Sequence, residues 1–161
     1  MTTTKTLYLI RHSKADFPSH GVNDLERPLT PQGVIDSHRN ASKLTRANVA
    51  WDLVISSHAF RAVNTAIIFA GEMSFPLSKI LLNEKLYETT VPDYLNVVNS
   101  IGDEVKNAAI FGHNDTISAF ANYLCDEIVV FENTTVLEIQ INADWLFVGR
   151  GCALIKKVYH L

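Results

Sequence analysis

Leu7-Tyr8-Leu9-Ile10-Arg11-His12-Ser13 is an apolar run that stops at an arginine–histidine pair. Two later stretches repeat the arrangement: Asp52-Leu53-Val54-Ile55-Ser56-Ser57, which leads to Arg61, and Ala108-Ala109-Ile110-Phe111-Gly112-His113. Each is short, nearly continuous in apolar residues and followed by a helical pattern, as expected of strands covered on both faces. In open α/β sheets, ligands bind just beyond the carboxyl ends of parallel strands. If these three strands are neighbours, Arg11, His12, Arg61 and His113 meet in one pocket.

Two arginines and two histidines around one small volume suit a phosphoryl group. A guanidinium fork matches two phosphate oxygens and keeps its charge at any working pH. Helix amino termini after Ser57 and His113 add backbone donors. His12 is then placed to attack phosphorus through a neutral ring nitrogen, giving a covalent phosphohistidine that water hydrolyses. The nearby arginines favour the neutral imidazole that this attack requires.

Between these strands the pattern is helical. Ser13 to Thr30, with Pro18, Gly21 and Pro28, reads as a loop over the strand ends. Thr30 caps and Pro31 opens a helix expected to reach about Asn48, with Val34, Ile35, His38, Ala41 and Leu44 near one face. Ser57 is the expected cap of a helix over His58 to Ala70, ended by Gly71, whose spacing aligns Phe60, Val63, Ala66, Ile67 and Ala70. A short strand at Ile80 to Leu82 precedes a helix from Pro92 to about Ile101. Asn114-Asp115-Thr116 is read as the cap of a helix to Leu124. The tail changes to alternation: Val136 to Ile141, Trp145 to Val148 and Ala153 to Tyr159 are expected strands, at least one antiparallel. The pattern is α/β, with a mostly parallel sheet.

At 161 residues and 18.0 kDa, one domain spanning 1–161 is expected. A net charge of −3 gives no reason to expect nucleic acid or anionic membrane as a partner. No apolar run approaches the length of a membrane-spanning helix, and Met1 to Lys5 does not look like a signal peptide. Cys125 and Cys152 form no metal or disulfide framework, which favours a cytoplasmic protein with reduced packing cysteines. His12, His58 and His113 also make a formal zinc ligand set. Arg11 and Arg61 would set two fixed positive charges beside such a cation, so no metal and no cofactor is expected. His58 either lines the pocket or simply begins its helix.

Arg11-His12-Ser13, Arg61 and Gly112-His113-Asn114 resemble the histidine phosphatase superfamily, the phosphoglycerate-mutase-like fold. Arg27-Pro28-Leu29-Thr30-Pro31-Gln32-Gly33 and Ser56-Ser57-His58-Ala59-Phe60-Arg61-Ala62 are similar to its phosphohistidine phosphatase branch, the SixA type. The resemblance implies a three-layer α/β/α sandwich and metal-independent hydrolysis. It implies His12 as phosphoryl acceptor, with Arg11, Arg61, His113 and Asn114 holding the phosphate. Leu82-Asn83-Glu84-Lys85 resembles the mutase segment that carries the general acid, so Glu84 is the first candidate, with Glu88 and Asp16 in reserve. The short chain leaves no room for a large roof over the site, which suits a phosphorylated protein side chain better than an enclosed sugar phosphate. A small phosphate ester is the alternative substrate, and a non-catalytic phosphate- or phosphoprotein-binding module the alternative of a different class.

Overall fold

The computed structural model describes residues 4–161, so the reading of Met1 to Thr3 lies outside the described residues. In chain order the elements are β1 (Lys5–Arg11), α1 (Pro31–Arg46), β2 (Leu53–Ser56), α2 (Phe60–Glu72), β3 (Leu81–Leu82), α3 (Val91–Asn99), β4 (Asn107–Gly112), α4 (Thr116–Cys125), β5 (Val136–Ile141) and β6 (Ala153–Tyr159). The six strands form one sheet in the order β3-β2-β4-β1-β5-β6. Pairings among β3, β2, β4 and β1 are parallel, whereas β5 and β6 run antiparallel. None of the helices among the described residues is long and apolar enough to cross a membrane.

Side-chain alternation along the strands divides the core into two layers. Leu7 and Leu9 of β1, with Ala108 and Ile110 of β4, pack against Tyr94 and Val98 of α3 and Phe120 and Leu124 of α4. Tyr8 and Ile10, with Ala109 and Phe111, point the other way, toward Ala41 and Leu44 of α1 and Ala66 and Phe69 of α2. Helices therefore cover both faces, giving the three-layer α/β/α sandwich. On the α1/α2 face, Trp51, Phe69 and Phe111 form an aromatic cluster with centroids 5.4–6.3 Å apart. Each such pair contributes about 1 kcal/mol beyond its buried area.

Register places the polar strand ends side by side. Arg11 pairs with Gly112 and Ser56 with Phe111. Beyond them, the His12 N–H donates to the Gly112 carbonyl at 3.0 Å and the Ser57 N–H to the Phe111 carbonyl at 3.0 Å. His12, Ser57 and His113 are thus neighbours by the geometry of the sheet alone.

Several local expectations are corrected. Trp145–Phe147 is a 3-10 turn rather than a strand. The buried Trp145 indole donates to the Val105 carbonyl at 2.7 Å, which holds the chain in a turn. α2 starts at Phe60 rather than His58, and the residue in its cap position is Ala59. The buried faces of α1 and α2 are also rotated from those expected. α1 buries Gly33, Ser37, Asn40, Ala41 and Leu44 while Val34, Ile35 and His38 face solvent, and α2 buries Arg61, Thr65 and Phe69 while Phe60 and Ile67 are exposed. Polar residues hold these inward positions because their partners lie behind the strand ends. Asp115 occupies the cap position of α4 with φ +53° but makes no capping hydrogen bond.

Candidate active site

His12 follows the last residue of β1 and lies on the line of strand ends. Its Nδ1 is 2.6 Å from the Ser13 carbonyl oxygen. A carbonyl only accepts, so Nδ1 carries the proton and Nε2 carries the lone pair. Burial, and then the charges of Arg61, Arg11 and Arg27, lower the His12 pKa to about 4 against the Ser13 hydrogen bond. The imidazole is neutral near pH 7, as a nucleophile must be.

The His12 ring lies 5.2 Å from that of His113. His113 Nε2 is 2.8 Å from the Ser57 hydroxyl, which also accepts the Ala59 N–H at 3.3 Å. A serine hydroxyl can give or accept here; with Ser57 as the donor, the imidazole proton lies on Nδ1. Burial first, then His12 and Arg61, push the His113 pKa down to about 3. Gly112 fixes the approach of this strand end. A Cβ there would sit 1.9 Å from the buried Tyr94 hydroxyl oxygen.

Arg61 lies in the first turn of α2 with only 7% of its side chain exposed. Nη1 donates to the Asp24 carbonyl at 2.8 Å and Nη2 to the Asp24 carboxylate at 3.1 Å. The same carboxylate accepts Arg27 Nε at 2.9 Å and the Tyr87 hydroxyl at 2.5 Å. The Tyr87 hydrogen bond, with Arg61 and Arg27, holds the Asp24 pKa at about 2 against its partial burial. The Tyr87 ring stands edge-on to both His58 and His113, at 5.6 Å from each, and 5.9 Å from the Arg61 guanidinium. His58 therefore borders the cluster.

Arg11 turns toward the α4 side, where Nη1 donates to the Phe131 carbonyl at 2.7 Å. A cavity of about 300 Å³ is lined by Asp24, Arg61, Tyr87, Glu88, Thr89, His113, Asn114, Asp115 and Thr116. Asn114 lies on this wall, its carboxamide oxygen accepting from Ser118 at 2.8 Å. Glu84 is exposed and does not line the Arg61–His113 cavity; it lines a neighbouring one with Asn83, Lys85 and Asp93 that shares Tyr87 with it. Glu88 lines both cavities. Asp16 is exposed in the loop after β1. No three His, Cys, Asp or Glu side chains converge as a metal-holding group among the described residues.

Seven buried side-chain N or O atoms lack a hydrogen-bond partner among the described residues, and three of them are Arg11 Nε, Arg61 Nε and His113 Nδ1. Unpartnered buried donors are costly, about 1–3 kcal/mol each. Three sequence-selected side chains at the strand ends thus carry buried nitrogens with no partner in the protein.

Behind His12 runs a buried hydroxyl network. Ser13 Oγ meets Ser37 Oγ at 2.5 Å and Thr134 Oγ1 at 2.9 Å, and the Ser13 N–H donates to Thr65 Oγ1 at 3.0 Å. Thr134, at φ +71°, sends its N–H to the Arg11 and His12 carbonyls, at 3.2 and 3.3 Å. Gly33 lets α1 join this layer, since a Cβ there would lie 2.2 Å from the Lys14 carbonyl oxygen. Sequence reading passed over Asp24, Tyr87 and this network. The polar loop around Asp24 has no periodicity, and isolated serines and threonines carry no positional signal. The Arg27-Pro28 motif three residues downstream was the available clue to Asp24.

Residues 7–108 match the histidine phosphatase superfamily (branch 1). The chain belongs to that superfamily. It is similar to the uncharacterized protein Rv1276c of Mycobacterium tuberculosis, with 30% identity over 91% of this chain and 96% of the relative. Among solved structures it shares its fold with a SixA protein of Nakamurella multipartitia, assigned as a phosphohistidine phosphatase. The TM-score is 0.84 at 24% identity, over 98% of this chain and 96% of the other. A protein histidine phosphatase SixA complexed with tungstate superposes with a TM-score of 0.83 at 19% identity, over 96% of each chain.

Proposed function

We propose that this protein is a phosphatase that carries the phosphoryl group transiently on His12 Nε2, with phosphohistidine on a protein as its substrate class. The observation that carries the reading is the set of unpartnered buried donors at Arg11, Arg61 and His113 around a neutral, correctly protonated His12. Membership of the superfamily and the likeness to a SixA protein bound to tungstate, a tetrahedral oxyanion, support it.

The chemistry follows from the proton positions. His12 Nε2 bonds to phosphorus as the bond from phosphorus to the substrate nitrogen breaks, and that bond's electron pair stays on the departing nitrogen. A substrate imidazole that arrives protonated leaves neutral, so no acid is required of the enzyme. The positive charge passes to the His12 ring, whose Nδ1–H points at the Ser13 carbonyl. Water oxygen then bonds to phosphorus, the bond to Nε2 breaks, and dihydrogen phosphate leaves a neutral His12. Arg11, Arg61, His113 Nδ1–H and the Asn114 amide hold the three equatorial oxygens as charge spreads over them.

A small phosphate ester is the second reading, favoured by Glu88 on the cavity wall, where a carboxyl can protonate an ester oxygen. The test is single-turnover exposure to a radiolabelled phosphohistidine protein, comparing wild type with His12→Ala. Expected is an acid-labile, base-stable label on the wild type alone, decaying as phosphate appears. Rapid ester hydrolysis without that label moves the substrate class to esters. Phosphate binding with neither activity leaves a binding module.

A further inference from the structure

Two carboxylates on the cavity wall, Glu88 and Asp115, form no ion pair or hydrogen bond through their side chains among the described residues. Both have positive φ, +47° and +53°, which non-glycine residues adopt at a cost and which gathers at functional sites. Asp115 occupies the cap position of α4 without capping it, so helix capping does not explain its carboxylate. Both are exposed, whereas Arg61, on the same wall, is buried with its Nε unpartnered. The cavity therefore has an unpartnered guanidinium nitrogen at its buried side and two free carboxylates at its exposed side. The buried side fits a phosphoryl group, and the exposed side faces whatever that group is attached to.

We propose that Glu88 and Asp115 select the group attached to phosphorus, favouring phosphoryl donors in which that group is cationic before transfer and rejecting those in which it carries a carboxylate or further phosphate. The inference rests on the phosphatase reading above and adds to it the residues that set specificity. A unit charge about 6 Å from a partly solvated carboxylate changes the preference by roughly tenfold. Asp24 adds no such selection, because Arg61, Arg27 and Tyr87 already engage its carboxylate.

The test measures kcat/KM at neutral pH for phosphoimidazole, phenyl phosphate and phosphoglycolate. While attached to phosphorus, the groups they carry are a protonated imidazole, an uncharged phenyl ring and a carboxylate-bearing chain. The proteins are wild type, Glu88→Gln, Asp115→Asn and the double variant. Both replacements are near-isosteric, and asparagine tolerates positive φ. Expected is a wild-type preference for phosphoimidazole over phosphoglycolate that falls about tenfold in each single variant and about a hundredfold in the double. Hydrolysis of phosphoglycolate should rise in absolute terms. A ratio that stays constant while all rates fall together marks a structural role and overturns the proposal. So does a wild type that hydrolyses all three without preference. A wild type inactive on all three, or matched by His12→Ala, overturns the phosphatase reading and this proposal with it.

Discussion

Ser57 Oγ lies 2.8 Å from His113 Nε2, and with Ser57 as the donor the other nitrogen, the unpartnered Nδ1, carries the imidazole proton. Ser57→Ala removes that donor and leaves a second buried imidazole nitrogen without a partner. A rate loss of about ten- to a hundredfold is expected, from the roughly 1–3 kcal/mol carried by such a hydrogen bond. Phosphate affinity should fall in parallel, measured by competition against substrate. Unchanged kinetics would place the anion away from His113.

The two site histidines resist protonation, with pKa values of about 4 for His12 and about 3 for His113. Their signals in an NMR titration should hold neutral shifts down to about pH 5, with His12 titrating first. Unfolded imidazoles titrate near 6.5, so between about pH 6.5 and pH 4 the unfolded chain binds more protons than the native one. Stability is therefore expected to fall as pH drops through that window. Urea midpoints measured across it check the sign. A His12 midpoint near 6.5 would show that burial and the neighbouring arginines do not suppress its protonation.

Gly112→Ala forces a methyl toward the Tyr94 hydroxyl, 1.9 Å away, in a fully buried layer. The expected cost is about 1–3 kcal/mol. Tyr94→Phe deletes an oxygen that lacks a hydrogen-bond partner, so alone it should be close to neutral. In Gly112→Ala it should restore much of the loss. A chemical-denaturation double-mutant cycle reads the coupling, and additive effects would contradict the close approach.

Glu84→Gln should retain the rate on a phosphohistidine substrate within about twofold, because Glu84 is exposed and lines a different cavity from Arg61 and His113. A loss of a hundredfold or more would show that this carboxyl reaches the reaction after all.

What could be read in advance follows from how each signal arises. The three apolar runs ending in Arg11-His12, Ser57 and His113 fix the strand ends, and parallel register carries the histidines together, so the centre of the site was legible. Arg61 was legible by its place in the first turn of α2, though its burial was not. The inward faces of α1 and α2 were read in part: Ala41, Leu44, Ala66 and Ala70 are buried as expected, but Ser37, Asn40 and Thr65 point in to polar partners while Val34, Ile35, Phe60 and Ile67 point out. Hydrophobic periodicity weighs only apolar residues and misses a polar inner face. Trp145–Phe147 reads as a strand by composition, but one hydrogen bond from a buried indole bends it. Glu84 was chosen by likeness of a short segment, which does not tell which of two adjoining cavities its side chain lines.

The sheet order gives the ribosome a role in the timing of activity. β1, made first, sits between β4 and β5, whose residues 107–112 and 136–141 emerge late. Until residue 112 is out, the strand that ends before His12 has no sheet partner on either side, and until residue 141 is out it has one on a single side. Pairing over such sequence separations is slow, and exposed strand edges invite aggregation. Chaperone contact during translation should therefore concentrate on residues 5–11 and end once residue 141 has cleared the exit tunnel.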